Sequence, residues 1–189
     1  FFFFFYGWYF GRKLKNRYVT FTYLDKYTEL FKDLSKDESV PKTATNLVYI
    51  IKANDVDHVE SKVLFSIFQK LPKRANKYWF LHVDIQNDPY RFEYKVTHLI
   101  PEVLIRVDFY LGFKVEPKIN LYFKEVLEDL KDSGEIRLES GYDSLRKWSF
   151  PADFQYILID RVMTSDYKLS KRENITLVLH RISRLLCIS

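Results

Sequence analysis

Residues 91–113 constrain the fold more than any other stretch. RFEYKVTHLI (91–100) and VLIRVDFYLGF (103–113) both alternate apolar and polar side chains, and only Pro101 and Glu102 separate them. Successive strand side chains point to opposite faces, so Val103, Ile105, Val107, Phe109 and Leu111 share one face. Two such runs this close together predict an antiparallel strand pair. A third alternating run, YWFLHVDI (78–85), sets Trp79, Leu81, Val83 and Ile85 against His82 and Asp84, and NDP (87–89) reads as a turn. NLVYIIK (46–52) is a short, mostly apolar run suited to a buried strand.

Helical spacing fills the gaps between these runs. Leu24, Tyr27, Leu30, Phe31 and Leu34 predict an amphipathic helix over 20–36, with Thr20 or Thr22 as N-cap. SKDESVPK breaks that pattern, and Pro41 marks a boundary. Asp57 and Glu60 have the spacing of a capping box, continued by Val59, Val63, Ile67 and Leu71 as a helix that Pro72 ends. Ile119, Tyr122, Phe123, Val126, Leu127 and Leu130 mark the next helix, stopped at Ser133-Gly134. Within 135–150 the segment YDSLRKWSF reads as a loop, and FQYILIDRVM (154–163) as a further strand. Ser170 and Glu173 cap a last helix with a stripe of Ile175, Val178, Leu179, Ile182, Leu185 and Leu186. Strands and helices in this order predict a mixed α/β (α+β) fold: a mixed sheet with an antiparallel pair, flanked by amphipathic helices.

The chain opens FFFFFYGWYFGRKLKNRY, in which nine of the first ten residues are aromatic and Arg12, Lys13, Lys15 and Arg17 follow. Apolar-then-basic is the order at the cytoplasmic end of a transmembrane helix and the reverse of a secretory signal. Ten helical residues rise only about 15 Å, half of a hydrocarbon core of about 30 Å. The expectation is therefore that residues 1–18 are the end of a membrane helix with its basic juxtamembrane segment, the displayed chain beginning partway through that helix. The alternative is an aromatic segment packed on its own domain. The other boundaries read as a linker helix over 19–40 and a cytosolic α/β domain over 41–189. Trp8, Arg12, Lys13, Lys15 and Arg17 form a candidate membrane-surface set that meets anionic lipid head groups.

Composition removes several classes of function. The four junction cations supply most of the formal net charge of +5, which leaves the rest nearly neutral and argues against a nucleic-acid partner. Cys187 is the single cysteine, so no internal disulfide forms, and five glycines build no phosphate-cradling loop. His82, Asp84 and His98 are the candidates for a metal or acid–base site, but their spacing is no recognised zinc signature, and a half-buried, satisfied histidine is the favoured reading. His58 reads as an exposed helix-start residue, and His180 lies on the polar side of the last helix. With no nucleophile elbow and Cys187 set among Leu185, Leu186 and Ile188, the expectation is no catalysis, no catalytic or metal site and no cofactor.

A series of short motifs resembles the C-terminal cytosolic region of the Kup-type (HAK/KUP/KT) potassium uptake transporter family. Trp8, Gly11 and Arg12 are similar to the family's exit from its last membrane helix. VPKTATNLVYI (40–50) resembles a V-P-G-T-A motif through Pro41, Thr43 and Ala44, with Lys42 in place of the glycine. RVDFYLGFKVEP (106–117) resembles an arginine-to-Y-G-F-x-x-x-P segment through Arg106, Gly112, Phe113 and Pro117, and WFLHVDIQNDPY (79–90) takes the place of the strand and turn between them. The resemblance implies the regulatory or assembly domain of a bacterial inner-membrane protein that takes up potassium, with protons as the coupling ion. It implies the transporter's own membrane domain as partner, a homodimer, and a nucleotide ligand such as cyclic di-AMP. The rival expectation is a membrane-anchored nucleotide-sensing module of another system.

Overall fold

The computed structural model describes Tyr9, residues 20–137 and residues 139–159. The aromatic-basic opening with Trp8, Arg12, Lys13, Lys15 and Arg17, the capping box at Ser170, the helix after it, His180 and Cys187 lie outside the described residues. Phe21–Ile159 forms one compact unit.

Its centre is a mixed five-stranded sheet of order β5-β6-β4-β2-β7, built from β2 (Lys42–Ile51), β4 (Arg74–Gln86), β5 (Phe92–Ile100), β6 (Leu104–Gly112) and β7 (Phe154–Ile157). β2, β4, β6 and β7 run parallel, and β5 pairs antiparallel with β6, as the two alternating runs predict. A two-stranded antiparallel sheet of β1 (Phe21–Tyr23) and β3 (His58–Glu60) stands beside it. The α-helices are α1 (Thr28–Lys36), α2 (Ser61–Phe68), α3 (Ile119–Asp132) and the single turn α4 (Asp143–Arg146).

Alternation along the strands divides the core in two. Leu47, Tyr49, Tyr78, Phe80 and Leu104 point to the face covered by Phe31 and Leu34 of α1 and Val63, Leu64 and Ile67 of α2. Trp79, Leu81, Ile105, Val107, Phe109 and Leu111 point to the other, against Phe123, Val126, Leu127 and Leu130 of α3. Burial on both sides is what parallel strands need, because their crossover helices cover both faces. It also pushes the Tyr49 and Tyr78 hydroxyls up to about 12.

Three predicted elements differ. The helix expected over 20–36 starts later: residues 21–23 pair as β1, Leu24–Tyr27 is a 3-10 turn, and α1 begins at Thr28. Neither Thr20 nor Thr22 caps it; Thr22 Oγ1 instead lies 2.8 Å from Ser61 Oγ. The capping box at Asp57 and Glu60 does not form, since 58–60 is strand and the Glu60 carboxylate turns inward to accept the Lys52 backbone N–H at 3.1 Å. His58 therefore lies in β3, its ring 4.4 Å from that of Tyr23, rather than at a helix start. α2 ends at Phe68, ahead of Pro72, and Leu71 is exposed. The strand expected over 154–163 is assigned only over Phe154–Ile157, and 160–163 lie outside the described residues.

Gly112 ends β6 where no side chain fits. A Cβ there would run into the backbone carbonyls of Asp88 and Pro89, because the 88–90 turn lies directly on the strand end. Gly112 N–H donates to the Arg91 carbonyl at 2.7 Å, and Asp88 Oδ1 accepts the Tyr90 N–H at 3.2 Å. After α3, Gly134 takes a positive φ of 76°, the glycine conformation that closes many helices.

Candidate functional site

β2 has a polar cluster at each end, and the two differ in kind. At its end, on the α1–α2 face, Arg106 and His82 meet around Asp108. Residues 106 and 108 are two apart on β6 and so share a face, and Asp108 is the register partner of His82 on β4. Arg106 Nε donates to both carboxylate oxygens of Asp108 at 2.9 and 3.1 Å, and Nη2 to Oδ1 at 2.7 Å. The rest of the guanidinium gathers the loop that follows β2: Nη1 donates to the Asp55 carbonyl at 2.6 Å, and Nη2 to those of Ala53 and Asn54 at 2.8 and 3.1 Å. His82 Nδ1 donates to Asp108 Oδ1 at 3.0 Å, and its Nε2 meets the Asn54 amide at 3.2 Å.

All three charged or polar side chains are buried. Burial pushes the Asp108 carboxyl up, but the hydrogen bonds from His82 and Arg106 outweigh it and hold the group below its ordinary value. An ionised Asp108 balances Arg106, so the cluster is a closed ion pair tied to backbone. Nothing in it is left to meet a ligand. Its chemical role is to fix the 53–55 loop against β6.

The sequence candidates for acid–base or metal chemistry do not converge. His98 is the register partner of Ile105, so it lies on the opposite sheet face from His82, and it pairs with Glu135 at 3.3 Å. Asp84 accepts from Gln86 at 2.6 Å. Among the described residues no group of three or more His, Cys, Asp or Glu side chains could hold a metal ion.

At the start of β2 the sheet opens into a cavity of about 640 Å³. Its floor is Thr45 and Asn46 of β2, Lys77 of β4 and Ile105 of β6; Arg137 and Arg146 come from the segment after α3. Asn46 is fully used: its Oδ1 accepts the Trp79 indole N–H at 3.1 Å, and its Nδ2 donates to the Asp153 carbonyl at 3.1 Å. Thr45 is 8% exposed, yet its Oγ1 has no hydrogen-bond partner. Burial lowers the affinity of Lys77 for its proton, against the pull of Glu102. Lys42, the residue that replaces a glycine in the sequence motif, lies 4.9 Å from the Tyr142 ring centroid, and burial likewise lowers its pKa.

Sequence reasoning named Arg106 only as part of a motif and passed over Asp108, Asn54, Thr45, Lys77 and Arg137. The signal for the first two was present. An Arg and an Asp two apart inside a run that must be buried have to be paired with each other or with backbone. Of the sequence candidates only His98 lines the cavity, and no signal marked the cavity as such, because its walls come from four separate stretches.

The family model described as the K+ potassium transporter C-terminal domain matches residues 44–184. A probable potassium transport system protein Kup from Flavobacterium johnsoniae is 44% identical over 168 residues, covering 89% of this chain and 26% of the relative. Proteins of the same name from Flavobacterium psychrophilum and Cytophaga hutchinsonii are 45% and 42% identical over 84% and 88% of this chain, and over 24% and 25% of their own. The chain thus spans about a quarter of the length of these curated relatives. No solved structure matches it.

Proposed function

The chain belongs to the K+ potassium transporter C-terminal domain family, and from that premise we propose that it is the cytosolic domain of a potassium uptake transporter, acting in assembly or regulation without catalysis. The observation that carries the reading is the family match over residues 44–184, which spans β2 from Ala44 onward and the whole of β4, β5, β6 and β7. In this reading the transporter lies in the bacterial inner membrane, the domain on its cytoplasmic side, and protons are the coupling ion. Among the described residues no helix is long and apolar enough to cross a membrane.

The partners follow the same premise: the transporter's own membrane domain, a second copy of the chain, and anionic lipid at Trp8, Arg12, Lys13, Lys15 and Arg17. A domain without ion chemistry affects transport only by favouring one transporter conformation over another, and coupling of this kind amounts to about 1–3 kcal/mol. For a regulatory ligand we propose a nucleotide such as cyclic di-AMP in the cavity at the start of β2. Lys77 and Arg137 suit phosphate there, beside the acids Glu102, Glu135 and Glu139, and Thr45 leaves a hydroxyl to be bonded.

The test is potassium uptake by a full-length transporter and by one truncated before Pro41, each competed with sodium. The expected result is altered rate or regulation with the preference for potassium unchanged. Lost preference with uptake otherwise intact would assign the domain to the ion path and end the regulatory reading.

A further inference from the structure

The segment between α3 and β7 exposes large side chains that the core does not need. Trp148 is 79% exposed, Phe150 57%, Leu145 40% and Tyr142 37%, all within nine residues. Single exposed hydrophobics are ordinary on a protein surface; four together in one short loop mark an interaction site. The loop is built rather than loose. Trp148 and Phe150 backbone N–H groups both donate to the Leu145 carbonyl at 3.1 Å, Ser149 takes a positive φ of 56°, and Glu139 bridges to Pro151 at the loop's base.

The charges beside these rings select the partner. Asp143 is the one acid of residues 142–150, and it is tied to Arg146 at 3.0 Å. Lys147 has no ionic partner among the described residues. Lysine is depleted from the cores of protein–protein interfaces, whereas Trp and Tyr beside Lys and Arg are the composition of a bilayer's head-group layer. We propose that the 142–150 loop docks on an anionic bilayer, with Trp148, Phe150 and Leu145 entering the head-group–acyl boundary and Lys147 meeting a lipid phosphate. The residues of this contact are other than those of the basic junction at residues 12–17. It takes the presence of a bilayer from the proposed function, but lipid binding is measured without transport, so each can fail alone.

The experiment is vesicle flotation of the whole chain, with phosphatidylcholine alone or mixed with phosphatidylglycerol. It is run in the native background and in one with Arg12, Lys13, Lys15 and Arg17 all changed to Gln. In both backgrounds, Trp148→Ser with Phe150→Ser is expected to lower partition onto anionic vesicles at least about tenfold, because two large apolar groups no longer leave water. Lys147→Gln, a surface change that spares the fold, is expected to lower it about fivefold on anionic vesicles and not on neutral ones. Native-like partition by both variants onto anionic vesicles would overturn the proposal. So would a Trp148→Ser, Phe150→Ser chain that keeps its lipid binding but loses self-association in sedimentation, since the loop would then be a protein contact.

Discussion

Where β2 ends, Arg106, Asp108 and His82 are buried and bonded to one another; where it begins, Thr45 and Lys77 face a cavity. The two clusters lie within one strand's length of each other and draw on the same strands. At the end, one guanidinium satisfies a carboxylate and three loop carbonyls, so the charges serve the fold. At the start, a buried hydroxyl stays unbonded and lysines are held at lowered proton affinity by burial. A closed polar cluster stabilises through completeness, and an incomplete one is where a ligand has something to gain.

The largest test of this contrast is Arg106→Leu. It leaves Asp108 buried without its cation and the 53–55 carbonyls without a donor, and breaking a buried pair in this way costs about 3–5 kcal/mol. Chemical denaturation should show that loss. Changing both residues, Arg106→Leu with Asp108→Leu, should recover part of it, since no unpaired charge remains. Equal stability of the single and double variants would mean that the loop carbonyls, not the ion pair, hold the cluster together.

A smaller effect follows from acid. The folded-state pKa of Asp108 is depressed by His82 and Arg106, so its contribution to stability is complete above the unfolded value of about 3.9 and is lost as pH falls through the folded value. Stability measured from neutral pH to strong acid should fall in that window, and the portion due to this group should be absent from Asp108→Asn. An unchanged acid profile in that variant would break the reading of Asp108 as the ionised centre.

Next comes the boundary of the cavity. Asn46 lies on its wall but belongs energetically with the closed cluster, because it bonds both the Trp79 indole and the Asp153 carbonyl. Asn46→Ala strands the buried indole N–H, at a cost of about 1–3 kcal/mol. A loss below about 0.5 kcal/mol would show that water reaches the indole and that the cavity extends deeper than its walls suggest.

These two ends were unequally legible in the sequence. Alternation through 78–85 and 103–111 was enough to place β4, β6 and the β5–β6 pair, since a side chain buried on a strand must repeat every second residue. Helix starts were harder. Leu24 fits the helical stripe of α1 and is buried as expected, yet 21–23 pair with 58–60, a contact between distant segments that no local pattern encodes. The same contact turned Glu60 from a helix cap into an inward carboxylate. Arg106 and Asp108 were readable in principle as two charges at positions that must be buried. The cavity was not, because Thr45, Lys77 and Arg137 meet only through the sheet order and the return of the chain to β7.

The smallest predicted effect discriminates most sharply. Thr45→Val keeps the shape of the side chain and leaves intact the backbone N–H that donates to Asp153 Oδ2 at 2.7 Å. It removes a hydroxyl that bonds nothing. Elsewhere in a folded core, deleting a buried hydroxyl costs about 1 kcal/mol through the hydrogen bond it made, but here no bond is lost and the desolvated oxygen is replaced by carbon. Stability should therefore stay within about 0.5 kcal/mol of the native chain or rise. A ligand that uses the hydroxyl would read the same change differently: calorimetric titration of a nucleotide into the native and Thr45→Val chains should then show weaker binding by the variant. Unchanged stability with weakened binding is what an incomplete cluster requires. A clear loss of stability would mean that Thr45 already has its partner in an ordered water, and that the start of β2 is as closed as its end.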